Sequence, residues 1–463
     1  MKFDLRCMAA VSAAKFTRRL CKWIGRAGTS LPGKVALAID PRILLKLSRG
    51  YFVVMVTGTN GKTTTIGTLS KIMSDNGLKH IVNKGGANLI SGIATTFAGA
   101  ADVWGNASCA LALLEVDEAT AGRLVDSVQP DVMVVTNFFR DQLDRYGEVQ
   151  SVMHKVQSAI DKCPKVKLVL NADDSLCVSL GVKEKREAVY FGVEQGAVRP
   201  FDEKNISTTN RCIFCGTKYD YSYRTLGHLG GFKCPNCGFA RPEAQIACTR
   251  IESLQPDSSV MQIAVGGETR RVKVGLPGLF NIYNVLAAAA CCHLTGLPLD
   301  KIVPSLDSLE SCFGRMETID VGEGKQIMLM LTKNPVGFNQ ILRYLTTVDG
   351  PNGLAFLIND NAQDGTDISW LWDIDFEKVS SRIGSYRRVY ASGSRAEDIA
   401  LRLKYAGIPT EKLCVQKDYD LLIREGLAGI PSQCTFFIAA SYTAMLEIRG
   451  VLKKSYKLKE IWR

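Results

Sequence analysis

The chain has 463 residues, 46% hydrophobic and 22% charged, with a formal net charge of +11. That balance suits two or three globular domains and excludes disorder and collagen-like repeats, while the lack of any run near the roughly 20 apolar residues that span a bilayer excludes a helical membrane channel. The charge is uneven: residues 1–50 hold 11 Lys and Arg against Asp4 and Asp40, the last eleven residues carry +4, and the middle is close to neutral. A nucleic-acid-binding protein carries its charge on a folded face or groove; here the terminal segments carry it, so no nucleic-acid partner is expected.

The first element is a basic helical segment, residues 1–49. Its apolar run from Cys7 to Ala14 is short and leads into basic residues, so no signal peptide is expected. Ala13, Phe16, Leu20, Trp23 and Ile24 recur at helical spacing, with Lys15, Arg18, Arg19, Lys22 and Arg26 assigned to the opposite face. Such a helix either lies on an anionic membrane surface or packs on its domain with a solvated basic face.

Residues 51–56 then read as a strand and residues 62–76 as a helix stopped by Gly77. Between them runs Thr57-Gly58-Thr59-Asn60-Gly61-Lys62-Thr63-Thr64-Thr65. Glycines let the backbone turn so that its amides point at phosphate oxygens, and the helix N-terminus adds partial positive charge. Lys62 reaches the β- and γ-phosphates and the Thr63 hydroxyl ligates Mg²⁺ in such a loop. Val56 stands where the usual pattern has its first glycine, so this is a shortened variant; it points to ATP bound by Gly58 through Thr64. Further strands are expected at 110–114, 132–136 and 167–170, alternating with helices, which implies an α/β domain with a largely parallel sheet.

Residues from about 205 to 242 break this rhythm as an inserted module would. Of the 15 cysteines, most are scattered through apolar stretches and read as reduced, which fits a cytoplasmic protein. Cys212-x2-Cys215 and Cys234-x2-Cys237 stand apart, 18 residues from one pair to the other. Two such pairs on tight turns complete a tetrahedron of thiolates around Zn²⁺, and four protein ligands leave no open position, so the zinc is structural.

After Gly314-Arg315 the alternation restarts, with strands at 327–331, 354–359, 388–391 and 435–440 and helices at 395–405 and 442–452. The expected organisation is a central ATPase domain over 50–316, carrying the insertion, and a smaller Rossmann-like α/β domain over 317–463. Following the 354–359 strand, five carboxylates and two Trp lie between Asp360 and Asp375. Loops at strand ends are where such folds place sites, although Asp367 or Ser369 can equally cap the next helix.

The sequence Thr57–Thr65 resembles the Mur ligase superfamily of ATP-dependent amide-forming enzymes, and other segments follow in the superfamily's order. The resemblance implies that Glu115, in Leu114-Glu115-Val116-Asp117-Glu118, binds Mg²⁺. Thr136-Asn137 with Asp141-Gln142-Leu143-Asp144 is similar to the family's TN…DHLD, with Gln142 replacing the metal-binding His. Asn171-Ala172-Asp173-Asp174 is a further match. Asn281 and Asn284 fall in the segment that holds adenine, and Arg315 matches an Arg that contacts phosphate. With the four-cysteine ribbon, Lys333-Asn334-Pro335-x-Gly337 and Asp364-Gly365-x-Asp367-x-Ser369-Trp370, the chain resembles the MurT family, ligase subunits of lipid II isoglutaminyl synthase.

That resemblance implies amidation of the D-glutamate α-carboxyl of lipid II through an acyl phosphate. Ammonia comes from a GatD-type glutaminase partner whose Cys and His are completed by an aspartate matched here by Asp367. A lipid-borne substrate implies work at the inner face of the plasma membrane. The chain has only four His and no nucleophile elbow of its own, which agrees with an imported source of nitrogen. The alternatives are a folylpolyglutamate-synthase-like ligase, which has neither the ribbon nor DGxDxSW, and a zinc-ribbon NTPase acting on nucleic acid.

Overall fold

Runs of Val, Leu and Ile too short for helices, each followed by an amphipathic stretch, build sheets flanked by helices. The computed structural model describes residues 4–24, 28–83, 87–139, 149–183, 186–197, 210–255, 258–309, 315–332, 334–346, 348–361, 363–456 and 458. These residues form two units that divide near residue 310.

The first unit opens with helices α1 (Leu5–Trp23), α2 (Leu31–Ile39) and α3 (Ile43–Leu47). Asp4 starts α1 by accepting a hydrogen bond from the Cys7 amide. Strands β1 (Phe52–Thr57), β2 (His80–Val82), β3 (Leu111–Glu115), β4 (Val132–Val135), β5 (Lys167–Asn171) and β6 (Ala188–Val193) run parallel in the order β6-β5-β4-β1-β3-β2. β4 is wholly buried and β1 and β5 nearly so, as parallel strands covered on both faces must be. Helices α4 (Lys62–Asp75), α5 (Ile90–Ala100) and α6 (Glu118–Leu124) belong to this layer, and α4 stops at Gly77, whose φ of +74° a side chain would resist.

A two-stranded hairpin, β7 (Asp220–Arg224) and β8 (Gly230–Lys233), follows. β9 (Ile246–Leu254) then pairs in parallel with β6, and β10 (Ser259–Val265) and β11 (Glu268–Val274) extend the sheet antiparallel to nine strands. None of β9–β11 is among the strands expected from the sequence. The turn joining β10 to β11 is Gly266-Gly267, both at positive φ, the two-residue hairpin connection that matches strand twist.

The second unit is a six-stranded sheet in the order β12-β13-β17-β14-β15-β16, formed by β12 (Arg315–Gly322), β13 (Lys325–Leu331), β14 (Asn352–Leu357), β15 (Tyr386–Ser392), β16 (Leu413–Val415) and β17 (Thr435–Ala440). All pairs are parallel except β12 with β13. Alternation along β14 sends Leu354 and Phe356 into one core with Phe338, Phe376 and Phe437, and Ala355 and Leu357 into another with Tyr390, Phe436 and Ile448.

One expectation is corrected. Residues 5–23 are helical, but the buried face of α1 is Cys7, Ala10, Val11, Ala14 and Cys21, while Phe16, Leu20 and Trp23 are exposed. Small side chains let the helix approach its neighbours closely, so they, and not the large ones, face the domain. Arg26 lies outside the described residues.

Candidate functional site

The loop after β1 turns on two glycines at positive φ, Gly58 at +118° and Gly61 at +88°. Neither tolerates a side chain. A Cβ on Gly58 would sit 2.4 Å from the Thr136 hydroxyl, and one on Gly61 would sit 1.9 Å from Asn284 Oδ1. The loop is braced from the end of β4: Thr59 N–H donates to the Asn137 carbonyl (2.9 Å), Asn60 N–H donates to Asn137 Oδ1 (3.0 Å), and the Thr136 hydroxyl donates to the Asn60 carbonyl (2.7 Å). The Thr-Asn pair singled out in the sequence thus acts as a clamp on the loop.

Lys62 opens α4. Its ammonium donates to the Gly58 and Thr59 carbonyls at 2.5 and 3.2 Å and pairs with Glu118 Oε1 at 3.0 Å. Glu118 stands in the Leu114–Glu118 motif but is not one of the site residues expected from the sequence. It is the first residue of α6, placed there by the Asp117 carboxylate, which caps the helix through the Ala119 amide. Burial pushes the Glu118 carboxyl above its ordinary range, and the Lys62 charge opposes that shift. Glu115 ends β3, buried, with its backbone N–H and carbonyl both held by the Asn83 side chain.

This arrangement fits a nucleotide triphosphate with Mg²⁺. The glycine turns hold the backbone open, the first-turn amides of α4 have no intrahelical acceptor, Thr63 is exposed at that turn, and the buried Thr64 hydroxyl has no hydrogen-bond partner among the described residues. Asn281 and Asn284, the residues expected to hold adenine, lie on the Leu279–Leu294 helix, both buried, with Asn284 Nδ2 donating to Asn281 Oδ1 at 3.1 Å. Arg315 begins β12, but its side chain lies outside the described residues, as do Gly314, Lys333 and the whole of Asp141-Gln142-Leu143-Asp144.

Asn171-Ala172-Asp173-Asp174 is fully buried and ties this region to the hairpin module. Asp173 receives Arg241 Nε (2.6 Å), the Tyr283 hydroxyl (2.5 Å) and the Val193 amide (2.9 Å). The Tyr283 hydroxyl also shares a 2.6 Å hydrogen bond with the Thr225 hydroxyl, and the Gly230 amide donates to the Asp173 carbonyl. Tyr283, Thr225 and Arg241 belong to no motif, and no sequence signal singles them out.

The four cysteines of the module converge, with all four Sγ atoms within 4.8 Å of one another and separations of 3.5 Å (Cys212–Cys237) and 3.4 Å (Cys215–Cys234). A tetrahedral Zn²⁺ with four thiolates has sulfur edges of roughly 3.8 Å. Hydrogen bonds from the Thr217 hydroxyl and amide draw the Cys215 thiol down to about 6. At Cys237 the Phe239 amide lowers the value, but burial and the neighbouring sulfurs outweigh it and push the thiol up to about 12. Four thiols this close cannot ionise together without a cation, so the donor set fits a closed metal site.

In the second unit the loop after β14 is organised by Asp364, buried, which accepts from the Thr443 amide at 2.8 Å and from the Thr443 hydroxyl. Asn359 bridges Thr443 and Glu447, each at 3.0 Å. Asp367 is only partly buried, and its carboxylate accepts from the Ser369 amide (2.8 Å) and hydroxyl (3.0 Å). Of the two tryptophans, Trp370 packs toward Phe338, while Trp372 is exposed beside Tyr405.

Residues 56–240 match the Mur ligase middle domain, and residues 331–445 match the MurT ligase C-terminal domain. The chain is 35% identical, over 97% of its own length and 97% of the relative's, to the lipid II isoglutaminyl synthase (glutamine-hydrolyzing) subunit MurT of Streptococcus pneumoniae strain R6. It is 31% identical to the protein of the same name from Staphylococcus aureus strain COL, covering 98% of this chain and 99% of that one. Among solved structures it is similar in fold to a pseudomurein peptide ligase type C from Methanothermus fervidus, with a TM-score of 0.66 at 24% identity, covering 89% of this chain and 81% of that one.

Proposed function

The chain belongs to the MurT family of Mur-type ligases, and we propose that it amidates the α-carboxyl of D-glutamate in the lipid II stem peptide, using ATP and ammonia delivered by a glutaminase partner of the GatD type. The observation that carries this reading is the braced phosphate loop, in which two glycine turns, Lys62 and Glu118 meet within a chain matched over nearly its whole length by MurT subunits.

The chemistry balances in two steps. The substrate carboxylate attacks the γ-phosphorus of ATP, the bond to the bridging oxygen breaks, and ADP leaves, giving an acyl phosphate. Ammonia then attacks the acyl carbon, phosphate leaves with the bonding pair, and a proton is released, giving the amide. Mg²⁺ supplies positive charge at the γ-phosphate when bound, with Thr63 and Glu115 as the residues that would hold it. Lys62 moves from Glu118 and the Gly58 carbonyl toward phosphate charge, and the first-turn amides of α4 stabilise charge developing on the transferred group. Gly58 to Thr64 cradle the phosphates, Asn281 and Asn284 hold the adenine, and Arg315 contacts phosphate. Residues 50–316 form the ATPase domain in this reading and 317–463 the domain that meets the partner. Cys212, Cys215, Cys234 and Cys237 hold a structural Zn²⁺ that keeps the hairpin folded on Asp173.

Asp367 serves the partner: its carboxylate orients a His of the glutaminase, which needs a group at the surface, and the exposed Trp372 and Tyr405 lie on the same domain. The protein acts in the cytoplasm at the membrane's inner face, where its lipid-borne substrate is. The test is reconstitution with a glutaminase partner, ATP, Mg²⁺, glutamine and lipid II, followed by mass spectrometry of the lipid. Replacement of one OH by NH₂ at glutamate is expected. ATP turnover stimulated by a folate or by nucleic acid, with the lipid unchanged, would overturn the assignment.

A further inference from the structure

Helix α1 is apolar on two opposite faces. Cys7, Ala10, Val11, Ala14 and Cys21 are buried in its packing with its helical neighbours, α2 foremost. At about 3.6 residues per turn, Leu5, Ala9, Phe16, Leu20 and Trp23 fall in one stripe on the other side. That stripe is open to solvent: Leu5 is 74% exposed, Phe16 69%, Leu20 47% and Trp23 85%. Four large apolar side chains held in water contribute no hydrophobic stabilisation until something covers them, and a contiguous exposed patch of this kind marks a surface that something covers.

The charges around the stripe identify what covers it. Arg6 and Arg19, both exposed, border the stripe at roughly 70° to either side of its centre, whereas Arg18 turns to the packed side, toward Gly99 of α5. The segment's two carboxylates do not neutralise Arg6 and Arg19, because Asp4 and Asp40 both pair with Lys46, at 2.7 and 2.6 Å. Aromatic and aliphatic groups flanked by cations are the composition of a helix seated at the boundary between anionic headgroups and acyl chains. No helix of the described residues is long and apolar enough to cross the bilayer, so the contact is peripheral. We propose that α1 docks flat on an anionic lipid surface, with Leu5, Phe16, Leu20 and Trp23 at the headgroup–acyl boundary and Arg6 and Arg19 at the lipid phosphates on either side. The proposal stands apart from the reaction, since it needs no substrate lipid.

The test uses the full-length protein, together with any subunit that co-purifies, floated with vesicles of phosphatidylcholine alone or with anionic phosphatidylglycerol added. The wild type is expected to float with the anionic vesicles and to be released by high salt. Phe16→Ser with Trp23→Ser, and separately Arg19→Glu, should each weaken vesicle affinity by on the order of tenfold. All of these side chains are exposed, so thermal unfolding should match the wild type, as should amidation of a water-soluble stem-peptide analogue. Failure of the wild type to float, or flotation of both variants at wild-type affinity, overturns the proposal while leaving the amidation reading intact. If Phe16→Ser with Trp23→Ser instead abolishes self-association or the retention of a protein partner, the face is a protein contact and the lipid proposal is wrong.

Discussion

The phosphate loop after β1 and the acidic loop after β14 both leave the C-terminal end of a parallel strand, yet they are held in opposite ways. Around the phosphate loop the functional groups are braced from distant parts of the chain: Lys62 by Glu118, Asn60 by Asn137, and Gly61 against Asn284. Around the acidic loop the distant bonds belong to Asp364 and Thr443, while Asp367 is tied to Ser369, two residues away. A group that acts on a ligand bound by its own chain can be fixed by that chain. If Asp367 completes a site in another chain, as proposed, it has to stay at the surface, with its carboxylate in reach of the visitor.

The sharpest break of this comparison is Asp367→Asn, which keeps the shape and the turn to Ser369 but removes the charge. If Asp367 steadies a partner's imidazolium, glutamine-driven amidation should fall by up to about 10⁴, as in the serine-protease triad. Amidation from free ammonia should persist, and the complex should still assemble on a sizing column. Equal loss with ammonia would move Asp367 into the ligase site. No loss in either assay would leave it a turn residue, since Asn caps about as well as Asp.

Lys62→Ala addresses the braced region. Both nitrogen sources should then fail alike, by roughly 10³ in turnover, because charge on the transferred phosphoryl group is no longer met. The substitution also leaves Glu118 buried without its cation, a loss of about 3 kcal/mol in denaturant unfolding. Adding Glu118→Gln should recover most of that stability and none of the activity. Recovery of both would make the Lys62–Glu118 pair purely structural.

Next in size is the metal. Cys212→Ser with Cys234→Ser should eliminate stoichiometric zinc and melt the hairpin, since binding energy at a closed thiolate site is folding energy. Metal analysis finding none in the wild type, with all four thiols freely titratable in the native protein, would end this reading.

Much of the braced region is legible in the sequence because its constraints are local. A strand, a glycine turn and a lysine at a helix start occupy consecutive positions, and paired cysteines announce by spacing a cluster that can hold a metal. Glu118 is not legible as a partner of Lys62, because only the parallel pairing of β1 with β3 brings α6 beside the loop. The β10–β11 hairpin does carry a local signal, since Gly266-Gly267 is a two-residue turn sequence, as Glu323-Gly324 is between β12 and β13. Helix α1 shows a different limit. Residues 7, 10, 11, 14 and 21 have the helical period as fully as 13, 16, 20, 23 and 24, and periodicity cannot choose between two apolar stripes. Size chooses, since close helix packing takes the small side chains. Asp367 marks the last limit: within its own chain it is a turn residue bonded to Ser369, and a carboxylate proposed to serve another chain carries no further local signal.

The smallest expected effect concerns how the hairpin reaches the nucleotide. Tyr283 stands between Asn281 and Asn284 on the Leu279–Leu294 helix, and its hydroxyl joins Asp173 to Thr225 of the β7–β8 hairpin. Burial pushes the Asp173 carboxyl upward, and Arg241 and the Tyr283 hydroxyl oppose that. Tyr283→Phe keeps the ring but removes two buried hydrogen bonds, to Asp173 and with Thr225, whose hydroxyl keeps the Leu229 carbonyl, a loss of about 2 kcal/mol in stability. If the only consequence is packing, kcat and the KM for ATP should both stay at wild-type values. If the hydroxyl fixes the helix that presents Asn281 and Asn284, the KM for ATP should rise several-fold with kcat unchanged, because adenine is held equally in ground and transition states. Thr225→Val should then produce a smaller shift in the same direction, since Asp173 still receives the tyrosine hydroxyl. A fall in kcat without a change in KM would contradict this ordering, for it would place the effect of Tyr283 at the phosphates, reached through the close approach of Asn284 to Gly61.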